Sequence, residues 1–185
     1  MTTLVEHLSS FLGESSAADR VLLDRVGRSI GLVRFDGHPC EGATTVVTNG
    51  LSDLPHHRLR EELLLACWTP ELSTDLLLVV EFVARQLAEG REPLAYGDVI
   101  GPAGPLVPGS AMEALYVCEP TYFPEGFAAF NTAPGCRVRL RWLVPIHATE
   151  ARIVENQGAE FFEGLLVDQD PDLMSLGRPP VSLAG

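Results

Sequence analysis

Lysine is absent from this sequence. Its 13 basic residues are all arginine, against 25 aspartate and glutamate residues, and the formal net charge at pH 7 is −12. Without lysine the chain cannot build a Walker A phosphate loop, and it has no side-chain amine for Schiff-base chemistry. The acidic surplus argues against contact with a nucleic-acid backbone and favours a basic partner surface through electrostatic steering. The simpler interpretation is that acidity only keeps the protein soluble.

Cysteines are few and far apart, and long apolar runs are missing. The N-terminal residues lack the basic cluster and apolar stretch of a signal peptide, and no segment approaches the roughly 18 apolar residues of a membrane span. We therefore expect a reducing compartment, the cytoplasm, with free and buried thiols. The four cysteines are Cys40, Cys67, Cys118 and Cys136. No cofactor is predicted.

The length of 185 residues, of which 46% are hydrophobic, fits one globular domain. Strands and helices do not alternate regularly, so a doubly wound parallel sheet is not expected. We predict an α+β fold, a mixed or antiparallel sheet flanked by helices. The domain is predicted to span 1–166, and the acidic and then Pro/Gly-rich residues 167–185 to form an extended C-terminal tail.

Apolar spacing and capping residues indicate the helices. Residues 2–13 and 71–89 carry apolar stripes at three- and four-residue intervals, and Gly13 and Gly90 end them. A last helical region begins near Glu150, and Gly158 is predicted to divide it into 150–157 and 159–166.

The strands are indicated by β-branched and alternating residues. Residues 14–20 are polar and are predicted to be a loop. The strand at 59–68 is predicted to start at the rim and enter the core, and Pro145 to end the last strand. Further strands are predicted at 29–35, 43–48, 111–118 and 137–143, with shorter ones within 96–109 and 127–131.

Several segments, in order, resemble the suppressor-of-fused domain family. TTVVTNGLSD (44–53) resembles its strand-turn segment, RLREELLLACWTPE (58–71) its Glu-Leu strand, and VVEFVARQLAE (79–89) its helix. YGDVIGP (96–102) resembles its Gly-Asp or Gly-His loop. ALYVCEP (114–120) and the end of the domain, residues 140–166, complete the set. No single segment is specific, but six in order are.

The resemblance implies an α+β fold without known catalysis. In animals the family member is a cytoplasmic regulator that sequesters a transcription factor by holding an extended peptide, paired as a strand, in a cleft. Small single-domain relatives occur in bacteria, and many of them are regarded as immunity proteins that neutralise secreted toxins of polymorphic systems. The chain resembles this small form.

The resemblance also suggests partner-binding residues. Asp98, with Gly97, matches the acid of the family's Gly-Asp loop in the peptide cleft, and Glu119 lies on an acidic stretch near that cleft. Gln86 occupies the position of a cleft-lining tyrosine, so a different peptide is expected. From the residues alone, Asp98 could equally be a turn residue that caps local backbone.

Other motifs favour structural interpretations. His56 and His57 are adjacent without further ligands at zinc spacing, so no metal site is predicted. His147 is predicted to be a neutral structural imidazole, not a general base. The alternating Arg137, Arg139 and Arg141 could bind an acidic partner or, as we prefer, pair with acids on neighbouring strands. Trp68 and Trp142 are predicted to lie in the core.

The sequence therefore favours a non-catalytic, cytoplasmic protein-binding module. An immunity protein that neutralises a basic toxin by direct binding is preferred, and a general peptide-binding or regulatory scaffold is the alternative. An uncharacterised small-molecule-binding enzyme or hydrolase is the third hypothesis, and a deep pocket that combines His147 with two acids would favour it. Neither nucleic acid nor membrane is an expected partner.

Overall fold

In the computed structural model, one mixed sheet forms the middle layer between helices on its two faces. The structure describes residues 2–23, 29–54 and 60–183, with the backbone alone over 18–23. The strands, in chain order, are β1 (Ala17–Leu23), β2 (Ser29–Asp36), β3 (Ala43–Asn49), β4 (Glu61–Trp68), β5 (Val99–Ile100), β6 (Ala114–Cys118), β7 (Ala129–Ala133) and β8 (Cys136–Ile146). The helices are α1 (Leu4–Leu12), α2 (Thr74–Ala88), α3 (Ala148–Gln157) and α4 (Ala159–Gln169). The predicted α+β class is confirmed.

The sheet consists of two antiparallel halves joined by one parallel pair. The strand order is β1-β2-β3-β4-β8-β6-β5, and β7 pairs with β8 beside this path. β4 and β8 run parallel, with Glu61 opposite Arg139 and Leu64 opposite Trp142. The other described pairings are antiparallel.

Each face of the sheet has its own apolar core. Helix α2 packs on one face, over Leu63, Leu65 and Leu143. Helices α1, α3 and α4 pack on the other, over Tyr116, Trp142 and Val144. Alternate residues of β6 and β8 therefore belong to different cores, as the two-residue period of a strand requires. In the described part of the chain, no helix has the length and apolar character needed to cross a bilayer.

Local capping signals explain the helix ends. Thr3 and Glu6 form a reciprocal capping box at the start of α1, and Gly13 follows its last turn. Ser73 caps α2 by accepting from the Leu76 N–H at 3.2 Å. Gly158, with a φ of 89°, separates α3 from α4 as predicted.

Three predictions about strands are wrong. Residues 17–20 belong to β1, which pairs with β2 although Asp19 and Arg20 interrupt its apolar residues. Strand β4 is buried from its first residue, because Glu61 and Glu62 find nonlocal hydrogen-bond donors. Pro145 lies inside β8: the ladder with β4 stops at Trp142, so a missing N–H is tolerated beyond that point.

The cysteine and tryptophan predictions hold in part. Cys67 and Cys118 are buried free thiols, whereas Cys136 is half-buried and Cys40 is exposed. Cys40 belongs to the turn between β2 and β3. Trp142 is fully buried, while Trp68 is half-buried at the edge of the core, with its indole Nε1 donating to Asp172 at 2.6 Å.

The C-terminal segment lies on the body of the domain. Helix α4 runs to Gln169, three residues past the predicted boundary at 166. Beyond it the chain has no helix or strand up to residue 183, and four of its apolar residues are buried against the two cores. They are Leu173, Met174, Leu176 and Val181.

Candidate functional site

All three tyrosines of the chain line one cleft. We call it the tyrosine cleft and define it by Tyr96, Tyr116 and Tyr122 with the carboxyl groups of Glu119, Glu163 and Asp170. Its volume is about 270 Å³, and it lies between the end of β6, helix α4 and residues 170–173. The cleft joins four segments that are distant in sequence.

Strand β6 provides the floor of the cleft. Tyr116 lies opposite Val144 of β8 and is buried on the face that α4 covers. Its ring meets that of Phe162 edge to face, with centroids 5.1 Å apart. Because its ring is buried, Tyr116 contributes its hydroxyl end to the cleft.

The other two tyrosines form exposed walls. Tyr96 is 50% exposed and Tyr122 is 39% exposed. The Tyr122 ring packs against that of Trp142, with a centroid distance of 4.9 Å, so its orientation is fixed by the core. The cleft thus offers rigid aromatic surface to a ligand, which costs little side-chain entropy on binding.

Glu163 connects two of the tyrosines. Its two carboxylate oxygens accept hydrogen bonds from the hydroxyls of Tyr116, at 2.8 Å, and Tyr96. Burial, followed by these hydrogen bonds, raises the pKa of both tyrosines well above the ordinary value of 10. Both hydroxyls therefore stay protonated and donate to the carboxylate of Glu163.

The cleft is acidic as well as aromatic. Glu119 and Asp170 are exposed on its rim, and no arginine or histidine occurs among its described lining residues. Asp170 ends α4 in the left-handed region, with a φ of 43°. Burial raises the pKa of the Cys118 thiol to about 12, so this residue is not a thiolate nucleophile. Carboxylates beside tyrosine faces suit a cationic group.

The structure places three of the four predicted partner-binding residues around this cleft. Glu119 lines it, and Gly97 and Asp98 follow Tyr96 in a turn beside β6. The Asp98 carboxylate points into the turn and accepts from the Ala95 N–H at 2.7 Å, which is the turn role that the sequence left open. Its negative charge contributes, after burial, to raising the pKa of Glu61.

Gly97 is required by its surroundings. Its φ is +89°, and a Cβ added there would lie 2.8 Å from the Ala159 Cβ at the start of α4. Its N–H donates to Val117 O at 2.8 Å. A residue without a side chain lets the turn fit between β6 and α4.

Gln86 is not part of the tyrosine cleft. It is a half-buried residue of α2, on the opposite face of the sheet. A second cavity lies on that face, between α2 and residues 100–108, with a volume of about 520 Å³. Exposed Leu78 and Phe82 border this apolar groove. The adjoining strand β5 ends the sheet, and its outer edge has no partner among the described residues.

His147 has a structural role. Its N–H donates to Glu150 Oε2 at 2.8 Å, and its Nε2 lies 2.9 Å from Arg178 O. Glu150 forms a bidentate ion pair with the Arg178 guanidinium, at 2.6 and 2.8 Å. This buried cluster, the C-terminal clamp, is made of His147, Glu150 and Arg178. It fixes the segment after α4, and His147 lines neither the tyrosine cleft nor the apolar groove.

No metal centre is found among the described residues, because no three His, Cys, Asp or Glu side chains converge there. The predicted exclusion of a metal at His56 and His57 concerns residues that lie outside the described ones.

Sequence reasoning missed most of the cleft. Tyr96, Tyr116, Tyr122, Glu163 and Asp170 were not predicted as site residues. The available signal was the scarcity of tyrosine: the three residues stand in or next to two of the segments that resemble the family, YGDVIGP and ALYVCEP.

Comparisons with known proteins agree on one family. The family model described as suppressor of fused protein (SUFU) matches residues 27–179. A crystal structure described as a SUFU homologue from Neisseria gonorrhoeae has a TM-score of 0.74 at 16% identity, and the match covers 97% of this chain and 94% of that one.

Two further structures share the fold. The Sufu–Fu complex structure gives a TM-score of 0.67 at 16% identity, with 92% of this chain and 83% of that chain covered. Drosophila Suppressor of Fused gives 0.69 at 16% identity, with 92% of this chain but only 46% of that chain covered. No curated protein shows a significant match to the sequence.

Proposed function

The chain belongs to the suppressor of fused family, and from this premise we propose that it is a non-catalytic protein-binding module. Its specific role in this proposal is that of a cytoplasmic immunity protein, which neutralises a basic toxin by binding it directly. A related fold occurs in the Sufu–Fu complex, which supports binding of a protein partner.

The tyrosine cleft is the observation that carries this proposal. Three carboxyl groups and three aromatic rings surround a space of about 270 Å³, which suits an arginine or lysine side chain of a partner. Aromatic anchors dominate the binding energy of many protein interfaces. The net charge of −12 would attract a basic partner at long range.

The edge of β5 offers a second element of recognition. Its unpaired flank, within the described chain, can accept the backbone of an extended segment, while Gly97 and Asp98 lie at the cleft end of the same strand. The apolar groove beside α2 can receive side chains of that segment. These features also favour the alternative function, a general peptide-binding or regulatory scaffold.

The first experiment is a capture of partners from the native host with the tagged full chain. Wild type is compared with Glu119→Gln, which removes one charge from the cleft rim, and with Glu155→Gln, which removes one exposed charge from α3. We expect one basic protein to be retained by wild type and Glu155→Gln and reduced about tenfold or more with Glu119→Gln, as loss of a charge-assisted contact predicts. Equal retention by all three proteins would exclude the cleft as the binding surface.

A growth assay separates immunity from the scaffold alternative. The captured partner is expressed alone and together with each variant. The immunity role predicts that the partner alone stops growth, that wild type restores it and that Glu119→Gln restores it less. A partner that is harmless alone would support the scaffold role instead.

Asp98 needs a more careful substitution than alanine. Asp98→Asn keeps an oxygen that can accept from the Ala95 N–H and removes only the charge. We expect weaker partner binding with a melting temperature near wild type. A large loss of stability with unchanged binding per folded molecule would assign Asp98 to the turn alone.

A further inference from the structure

Four of the 13 arginines line one cavity, and its basic lining contrasts with the acidic lining of the tyrosine cleft. This arginine cavity has a volume of about 240 Å³ and is lined by Arg60, Arg137, Arg139 and Arg141. Glu61, Gly135 and Cys136 complete its lining. It lies where β4 and β8 run parallel, next to the turn between β7 and β8.

Among the described residues, only Arg141 of these four arginines has a neighbouring acid as its partner. Arg141 is buried, and its Nε lies 3.6 Å from Glu61 Oε2. This pair confirms, for Arg141, the prediction that the arginines pair with acids on a neighbouring strand. Arg60, Arg137 and Arg139 are exposed, and none of them forms a side-chain ion pair or hydrogen bond within the described part of the chain.

The local charge opposes the charge of the whole protein. Four guanidinium groups and one carboxylate line the cavity, which gives it a formal charge of +3, against −12 for the whole chain. Cations that lie close together without an acid partner in the described part of the chain repel one another, and a bound anion would reduce this repulsion.

The spacing of the arginines defines the shape of the ligand. Arg137 and Arg139 are two residues apart on β8, so their Cα atoms are about 6.8 Å apart on the same face of the strand. An extended peptide repeats its side chains on one face at the same interval. Carboxylates at alternate positions of such a peptide would meet the two guanidinium groups in register, and Arg60 reaches the same cavity from the neighbouring chain segment.

We propose that the arginine cavity is a second interaction surface, which binds an extended acidic segment of a protein partner with Asp or Glu at alternate positions. A nucleic acid fits less well, because the acidic remainder of the surface would repel its long run of phosphates. The proposal does not depend on the tyrosine cleft, which suits the opposite charge.

A labelled eight-residue peptide of alternating glutamate and serine tests the proposal. It is titrated into the full-length chain and followed by fluorescence anisotropy. We expect saturable binding that weakens as salt is raised, and about tenfold or more weaker binding with Arg137→Gln/Arg139→Gln. The matched control is Arg85→Gln/Arg152→Gln, which removes two exposed arginines from α2 and α3.

The control variant should bind the peptide as wild type does, and both variants should keep the wild-type circular dichroism spectrum, because all four side chains are exposed. Equal losses in the two variants would overturn the proposal, since only net charge would matter. Failure of wild type to bind would also overturn it. A single-stranded oligonucleotide of equal charge that binds as tightly as the peptide would assign the cavity to another class of ligand and refute the peptide assignment.

Discussion

Replacing Arg178 with methionine should cost about 3 kcal/mol or more of the free energy of unfolding. The guanidinium is buried and donates to both oxygens of Glu150, to Pro179 O at 3.1 Å and to Pro145 O at 3.4 Å. Methionine fills a similar volume but donates nothing, so the Glu150 carboxylate would remain buried without a counter-charge.

The surroundings of Glu150 set the magnitude. Breaking a buried ion pair by removing one partner costs about 3–5 kcal/mol, because the remaining charge is uncompensated. The N–H groups of His147 and Val181, at 2.8 and 2.9 Å, still donate to this carboxylate. We therefore expect the lower part of that range, which is a large share of the roughly 5–15 kcal/mol that stabilises a domain.

Urea unfolding at pH 7 measures this loss, and Arg34→Met provides the matched control. Arg34 pairs with Asp36 at 2.7 Å, but their side chains are 33% and 43% exposed. An exposed pair contributes about 0–1 kcal/mol, so the same substitution should be nearly neutral there. A double-mutant cycle with Glu150→Gln isolates the interaction, and the double variant should cost less than the sum of the two single variants.

The same variant should loosen the segment after α4. Because Arg178 fixes residues 170–183, limited proteolysis should cut Arg178→Met within this segment before the rest of the domain. Equal losses of stability in Arg178→Met and Arg34→Met, or single-variant losses that simply add, would contradict the role assigned to Arg178. A segment that resists protease in Arg178→Met as well as in wild type would contradict it too.

Three further predictions concern single residues. Burial raises the pKa of Glu62 from an ordinary 4.5 to about 7, so its protonated form stabilises the fold below pH 4.5 and this contribution is lost as pH rises through 7. At about 1.4 kcal/mol per pH unit, wild type should lose on the order of 3 kcal/mol relative to Glu62→Gln between pH 4.5 and 7.5 in chemical unfolding, and parallel pH profiles would contradict this. Gly97→Ala should lower the melting temperature more than Gly104→Ala, because both glycines have a positive φ but, of the two, only Gly97 lacks space for a Cβ. Equal effects would show that the backbone near Gly97 and Ala159 moves apart without loss of stability. Burial is the larger cause of the raised pKa of Tyr96 and Tyr116 and remains in Glu163→Gln, but the contribution of the Glu163 carboxylate is lost, so the pKa of both tyrosines should fall in an ultraviolet titration. Glu160→Gln should leave the titration unchanged, and an unaltered curve in Glu163→Gln would contradict the hydrogen-bond assignment.

Local signals in the sequence were sufficient for the helices. The capping box of Thr3 and Glu6, the Ser73 cap and the break at Gly158 each act within a few residues of the chain. Such signals can be recognised without knowledge of the tertiary structure, because their donors and acceptors are neighbours in sequence. The positions of most strands along the chain were likewise indicated by local β-branched and alternating runs.

Nonlocal partners explain what the sequence could not show. Glu62 is buried because Thr48, Gly50 and Ser52 donate to it from another strand and its turn. The residues next to Glu62 in the sequence do not indicate these donors. The partly polar residues 17–20 are a similar case, because they belong to a strand that pairs with residues of β2 further along the chain.

The candidate site was recovered in part. Glu119, Gly97 and Asp98 came from the resemblance to the family, and the structure places them at or beside the tyrosine cleft. The three tyrosines and Glu163 come together only when β6, α4 and the turn at residue 97 are packed, so no spacing rule could have joined them. Gln86 was also taken from the resemblance to the family, but it belongs to α2, which packs on the face of the sheet opposite the tyrosine cleft.

The parallel joint between β4 and β8 has a consequence for how the chain folds. Strands β1 to β4 form one run of antiparallel neighbours, and β5 to β8 form another, so each half is connected by nearby segments. In this parallel pair, residues 61–64 of β4 lie beside residues 139–142 of β8. Their pairing closes a loop that contains all the residues between them, and the pairing of residues so distant in sequence is slow. During synthesis, one edge of β4 therefore stays unpaired until β8 has been made and can complete the sheet.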